Sequence, residues 1–313
     1  MRLTGLSLPA VSILLLCSAA AAGAAVRHAR GASAPDLPST PRAPVARGTS
    51  PSRPATPPRH AGPRPLPRRP PPPPASRGFT SAEVDAWERR LREDPGTKRA
   101  LRRIGVYAPL IRHALSDHTV PEEFLYLPLI ESEYLASATS RVGAAGMWQF
   151  MPATARSYGL EVSTWVDERR DPIRSTLAAA RHLRDLHREL GSWDLAAAAY
   201  NCGSPRVRRA IAGARSDRGF WANRSRLPPE TRSYVPKLLA AVRLGRMWEY
   251  REQHHSRPLQ FREVLVAGGV PLEAVAVAYG VAADSVLNLN PQLVRGTTPP
   301  GRRWPVRIPV AHP

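Results

Sequence analysis

One carboxylate closes an apolar run in "FLYLPLIESEYLASATSRVGAAGMWQFMPATARSYGL", residues 124 to 160. Charged side chains are rarely buried without cause, and apolar surroundings disfavour a carboxylate and raise its pKa. Glu131 in that setting has the chemistry of a general acid working near neutral pH. Glu133, two positions on, points to the other side of a helix, so the two acids cannot act as a pair. Spacing alone leaves a second reading open, a helix-end carboxylate that reaches out to water. Downstream, the amide of Gln149 sits between Trp148 and Phe150, where an unpaired polar group is costly and a ligand role is favoured. No second acid pairs with Glu131 by local spacing, although Asp167, Asp171 or Asp194 could be brought near it by folding. The histidines are scattered, with no cysteine or acid at ligand spacing, so no metal site is read. No cofactor motif is read either.

The helices that must position these groups are visible as apolar spacing. Thr80 and Glu83 fit a capping box ahead of Val84, Trp87 and Leu91. Further helices are expected around Ala100 to Leu115 and from Pro121 to Tyr134, Pro121 being suited to a first turn. "PIRSTLAAARHLRDLHREL" places Ile173, Leu177, Leu183, Leu186 and Leu190 on one stripe, ended by Gly191. Short helices follow in "SWDLAAAAYN" and "SPRVRRAIAG", separated by Cys202 and Gly203, and "PPETRSYVPKLLAAVRLGRMW" is the last. Nothing from 79 to about 250 alternates at period two. An all-helical domain over 79–252 is therefore expected, long enough for a sizeable core.

The tail, 253–313, changes character. "FREVLVAGG" reads as a strand, "PLEAVAVAYG" and "AADSVLNLN" as helices, and "RRWPVRIPV" alternates Trp304, Val306, Ile308 and Val310 like a second strand. The fold expected is mainly α, followed by a small separate α+β module in the order β-α-α-β.

The 313 residues carry 45 Lys+Arg against 25 Asp+Glu, a net +20 that suits a polyanionic or acidic partner. Residues 1–25 read as a secretory signal: Arg2, an apolar core from Leu8 to Leu16, then "AAAAGAA". Export sets nucleic acid aside as the partner. Cys17 follows "LLL" as a lipidated cysteine would, but Leu16 stands where a small residue is wanted. Cleavage near Ala25 is favoured, with a lipoprotein as the alternative, and Cys202 is then left without a disulfide partner. Residues 26–78 are rich in proline and arginine, which reads as an extended, self-repelling spacer. A cationic tether along an anionic envelope polymer is the sharper version of the same reading.

Four blocks then act together: "IESEY" at 130–134, "SRVGAAGMWQFMPATA" at 140–155, "AAYNCG" at 198–203 and "PPETRSYVPKLLA" at 228–240. In this order they resemble the soluble-lytic-transglycosylase family of peptidoglycan-cleaving enzymes, which have a lysozyme-like fold. Within it the likeness is greatest to the membrane-bound lytic murein transglycosylase D group. The resemblance covers roughly residues 100 to 250. It implies Glu131 as catalytic acid, with Ser132 beside it to help orient the carboxylate. It implies Ser140, Gln149 and Met151 as cleft residues, the amide meeting sugar N-acetyl groups and the thioether offering an apolar surface. Gly143 and Gly146 permit the turn that brings this strip under the acid. Tyr200 would hold the acid or the reacting sugar, Asn201 the same loop, and Glu230 would bind substrate across the groove.

The tail resembles a LysM module in "YGVAADSVLNLNPQL" and "PPGRRWPVRIPV", but the usual Gly-Asp-Thr turn reads "GGVPL". A structural cap on the helical domain is the alternative to glycan binding. Cys202 stands where the resemblance predicts a small residue. The activity implied is lytic cleavage of peptidoglycan strands in the periplasm or cell envelope, without a cofactor. A muramidase-type hydrolase and a non-catalytic wall-binding protein are the rivals. Envelope membrane attachment and oligomeric state stay open.

Overall fold

Asp94 alone separates α1 (Ser81–Glu93) from α2 (Pro95–Asp117). Its side chain accepts from the Thr97 N–H at 2.6 Å and caps α2, while Pro95 occupies a first-turn position that needs no donor. The computed structural model describes residues 81–214, 216–251 and 258–310. The expected signal, the Pro/Arg-rich segment and Thr80 lie outside the described residues.

The continuous helix expected from Pro121 to Tyr134 is instead two pieces. A 3-10 turn, Glu122–Tyr126, leads into α3 (Leu127–Ser132). Pro128 fits the break, since it cannot donate back to Phe124 and occupies the first turn of the new helix, where no donor is needed. α3 is ended by Glu133 and Tyr134, both at positive φ (55° and 59°). Tyr134 is buried and its hydroxyl donates to the Leu125 carbonyl at 2.6 Å. The Glu133 carboxylate lies over Gly96, where a Cβ would overlap it.

After α4 (Pro152–Ser157), α5 (Pro172–Leu190) runs over its expected length, capped by Asp171 and closed by Gly191 at φ 74°. The leucine stripe read in the sequence turns inward except at Leu177, and small residues widen the buried face. Ser175, Thr176, Ala178, Ala179, Leu183 and Leu186 are buried, Leu177 is exposed, and Ile173 and Leu190 are half-buried. Small residues on that face let α5 pack against α2 and α6 (Trp193–Cys202), and Thr176 accepts the Trp148 indole N–H at 2.9 Å.

The alanines of α6, 196 to 199, are all buried. α7 (Ser204–Ala212) and α8 (Phe220–Asn223) follow, and α9 (Pro229–Arg251) packs against α1 and α6. A Cβ at Gly245 of α9 would overlap the Tyr126 ring, so the glycine permits this approach. The Tyr126 hydroxyl donates to Glu249 at 2.5 Å on the same helix.

The tail has the expected order: β1 (Phe261–Val266), α10 (Leu272–Tyr279), α11 (Ala283–Leu289) and β2 (Trp304–Pro309). The strands pair antiparallel, from Phe261 opposite Pro309 to Val266 opposite Trp304. Its core is Leu272, Val275, Val286, Leu293, Val306 and Ile308, joined by Val166 from the helical half. Val166 bridges Leu293, and the Asp167 N–H donates to the Gln292 carbonyl at 2.8 Å. Arg307 and Asp171, both buried, form an ion pair at 2.7 Å, and Arg302 reaches Glu161 at 2.7 Å. The module has its own elements but is docked on the loop before α5.

Candidate active site

Glu131, next to last in α3, lines a cleft of about 520 Å³ open to solvent. Gln149, Met151, His182, Tyr200 and Asn201 line the same cleft, together with Phe150 and Val142. Five residues read from the sequence are therefore brought together: Glu131, Gln149, Met151, Tyr200 and Asn201.

The strip beneath the acid is a tight double turn. Ala145 pairs with Thr139 on one side and Phe150 on the other. Gly146, at φ 80°, lies so close to the Arg169 carbonyl that a Cβ would overlap it. Gly143, at φ 84°, has open space around it. Gln149 itself is at φ 50°, a conformation that side chains adopt only when their surroundings impose it. Its Nε2 donates to the Gly146 carbonyl at 2.8 Å, which fixes the amide beside the cleft.

Four side chains hold this strip. Arg169, paired twice with Asp167 at 2.8 Å, donates through Nη1 to the carbonyls of Gly143 (2.7 Å) and Phe150 (3.0 Å). Tyr200 donates to the Trp148 carbonyl at 2.8 Å. Ser132 donates to the Met147 carbonyl at 2.7 Å, tying the strip to α3. Trp148 is fully buried on Thr176. Ser132 and Tyr200 thus bond the backbone of the strip, not the Glu131 carboxyl. Ser140 Oγ accepts from the Ala144 N–H at 3.0 Å within the turn, and neither serine is among the residues lining the cleft.

The partner of the acid is Tyr234, whose hydroxyl donates to Glu131 Oε1. Sequence reading missed it, although Glu230, Tyr234 and Lys237 share one face of α9 at i, i+4 and i+7. Burial pushes the Glu131 carboxyl up to about 7; the Tyr234 hydrogen bond and the Lys237 charge pull it back, and Glu230 adds to the rise. Burial lowers Lys237, against the attraction of Glu131 and Glu230. Glu230 is exposed and accepts from Asn201 Nδ2 at 3.1 Å, while Thr231 donates to Asn201 Oδ1 at 2.7 Å. Asn201 and Glu230 thereby join the end of α6 to the start of α9.

None of the more distant acids lines the cleft. Asp167 holds Arg169, Asp171 caps α5 and pairs Arg307, and Asp194 accepts from the Trp221 indole at 3.0 Å. Among the described residues the one carboxylate lining the cleft is Glu131, and no group of three or more His, Cys, Asp or Glu could hold a metal. Cys202 is buried next to Asn201. No described helix is long and apolar enough to cross a membrane.

Residues 109–220 match the family described as Transglycosylase SLT domain. Membrane-bound lytic murein transglycosylase D of Escherichia coli (strain K12) is 35% identical over 209 residues, which cover 60% of this chain and 45% of that protein. A putative tributyltin chloride resistance protein of Alteromonas sp. (strain M-1) is 43% identical over 99 residues, 31% of this chain and 48% of that one. The matches thus span about half the length of these relatives. Among solved structures, the 70 kDa soluble lytic transglycosylase Slt70 of Escherichia coli is 20% identical with a TM-score of 0.42, covering 54% of this chain and 34% of that one. Residues 109–220 are thus similar to the Transglycosylase SLT domain family.

Proposed function

We propose that this chain is a peptidoglycan lytic transglycosylase, cleaving the β-1,4 bond between MurNAc and GlcNAc without consuming water. The observation that carries the reading is the Glu131 carboxyl, bonded by Tyr234 and raised to about 7, in a cleft lined by Gln149, Met151 and Tyr200. A carboxyl balanced there can both give and take a proton at neutral pH. Glu131 protonates the glycosidic oxygen as it leaves MurNAc, and the N-acetyl oxygen of that sugar stabilises the developing positive charge. The same carboxylate then takes the proton of the C6 hydroxyl, which attacks C1 and closes a 1,6-anhydro ring. Proximity favours this internal attack over hydrolysis. A hydrolase would call on a second carboxylate or a positioned water, and the cleft lining offers Glu131 alone among the described acids.

Gln149, Met151, Tyr200 and Asn201 bind the glycan, with Glu230 at the far rim and Ser132 and Ser140 shaping the strip. Residues 1–25 direct export, 26–78 form the spacer, 79–252 the lysozyme-like catalytic domain and 253–313 a LysM-like module. The enzyme works in the periplasm or on the envelope, and the name of one relative, a membrane-bound transglycosylase, supports that location. Lipid attachment through Cys17 is the alternative mode of retention.

The test is mass spectrometry of muropeptides released from purified peptidoglycan, with Glu131→Gln beside the unmodified protein. Products ending in 1,6-anhydro-MurNAc, absent with the variant, support the reading. Reducing-end products make the enzyme a hydrolase. No products from a folded protein that binds the polymer make it a wall-binding protein.

A further inference from the structure

His182 lines the cleft from α5, in the wall that also carries Tyr200 and Phe150. Its ring is packed between aromatic neighbours, with centroids 4.9 Å from Tyr158, 5.3 Å from Tyr200 and 6.1 Å from Phe150. Nδ1 lies 3.1 Å from the Tyr158 hydroxyl, and that hydroxyl lies 3.3 Å from Asp185 Oδ2. The Asp185 carboxylate is itself held by Arg184 through Oδ1 at 2.8 and 2.9 Å.

The proton on Tyr158 decides the state of the ring. Its one O–H can satisfy Asp185, which only accepts, or Nδ1, but not both. Both contacts are satisfied together only if Tyr158 donates to Asp185 and accepts from Nδ1–H. Burial and the neighbouring Asp185 push Tyr158 up to about 12, so it keeps that proton. Burial lowers His182 to about 4, so the ring carries a single N–H. With the proton on Nδ1, Nε2 has a free lone pair. No hydrogen bond from the described residues engages Nε2, and it is not among the polar atoms sealed from solvent without a partner. Nε2 therefore keeps contact with solvent, and the cleft is the space that His182 lines.

We infer that His182 is a substrate-binding residue, its Nε2 accepting a hydrogen bond from a donor on the bound glycan, a hydroxyl or an acetamido N–H, with Tyr158 and Asp185 as positioning residues that hold the tautomer. The inference rests on the transglycosylase reading and adds to it a contact on the wall formed by α5. The ring also lies tilted against Tyr200, so a sugar that meets Nε2 is steered toward the strip carrying Gln149.

The probe is a GlcNAc–MurNAc tetrasaccharide titrated into the full chain carrying Glu131→Gln, which holds substrate without turnover. Nitrogen-15 spectra of the histidine rings at pH 7 should show His182 protonated on Nδ1 and bare on Nε2, with the Nε2 resonance moving as sugar is added. Adding His182→Ala should weaken binding about tenfold. Tyr158→Phe, which leaves the ring in the cleft, should shift the proton toward Nε2 and weaken binding in proportion. Cellotetraose, which has hydroxyls in place of acetamido groups, separates the two donors. A shift with both sugars assigns a hydroxyl, and a shift with the N-acetylated one alone assigns the N–H.

A proton on Nε2 in the free protein overturns the inference, as does an Nε2 resonance that stays still while sugar binds, or no binding of the tetrasaccharide. In those cases 1,6-anhydro products from the unmodified enzyme leave the transglycosylase reading standing. Their absence removes that reading as well.

Discussion

The hydroxyl of Tyr234 on α9 donates to the carboxyl of Glu131 on α3, joining two helices far apart in the sequence at the acid itself. A hydrogen bond to a carboxylate stabilises its charged form, so this contact works against the burial that raises Glu131. Lys237, one turn further along α9, acts in the same sense. One helix thus sets how far the acid is displaced from its ordinary range.

Tyr234→Phe removes the hydroxyl and leaves the burial, so Glu131 should rise above its value of about 7. The protonated acid then persists to higher pH. In the pH profile of muropeptide release the alkaline limb should move up by about one unit. Overall rate at neutral pH should fall as the carboxyl loses its orientation. A limb that stays in place would separate Tyr234 from the acid.

Glu131→Gln should make the protein more stable at alkaline pH while abolishing activity. The folded carboxyl titrates near 7 against 4.5 for the ordinary group, so folding takes up protons between those values. A raised acid costs nothing below pH 4.5, and its cost grows as pH rises through 7. Because Glu131 is partly exposed, about 1 to 3 kcal/mol of stabilisation is expected at pH 8. Little or none is expected at pH 4, as measured by denaturant unfolding.

Gly146→Ala and Gly143→Ala should part company. Both glycines hold positive φ, but only Gly146 faces backbone, the Arg169 carbonyl. Alanine at 143 meets only the left-handed conformational cost, about 1 kcal/mol. Alanine at 146 must also push apart the strip and the Arg169 turn, and should cost upwards of about 3 kcal/mol with loss of activity. Unfolding midpoints of the two variants make the comparison.

Arg307→Ala leaves the buried Asp171 carboxylate without its partner. Loss of one member of such a pair costs about 3 to 5 kcal/mol. Asp171 also caps α5, so the loss should be felt in the helical half and not only in the tail. Hydrogen exchange should show faster opening of the first turns of α5. Protection there equal to that of the unmodified chain would mean that Arg307 serves the tail alone.

The acid was legible because its type clashed with its neighbours, and Gln149 because an amide lay between two large apolar side chains. Both signals are local. Tyr234 and His182 gave no such signal: each sits in a helix rich in apolar residues, where a ring reads as packing. What sets them apart is a partner 103 residues away for Tyr234 and, for His182, a tyrosine and an aspartate that only the fold assembles. The inward face of α5 misled for a related reason. Hydrophobicity pointed to Leu177, but Trp148 needed a buried hydroxyl, and Thr176 supplies it. Proline was the stronger guide at Pro128, where its missing donor splits a helix that apolar spacing alone would continue. The strand-helix-helix-strand order of the tail was plain from its change of period, whereas its docking was not, because Val166 lies in a loop with no periodicity to read.

Val166 belongs by sequence to one half of the chain and by packing to the other. A stretch with that double membership cannot be exchanged between proteins as a cassette. Shortening the chain at 257 would strip Leu293, Val306 and Ile308 from around Val166 and open Asp171 to water. Grafting 258–313 elsewhere would leave a hole in its core where Val166 had been. The tail and the loop before α5 share one core, and a change of side-chain volume in either alters the packing of the other.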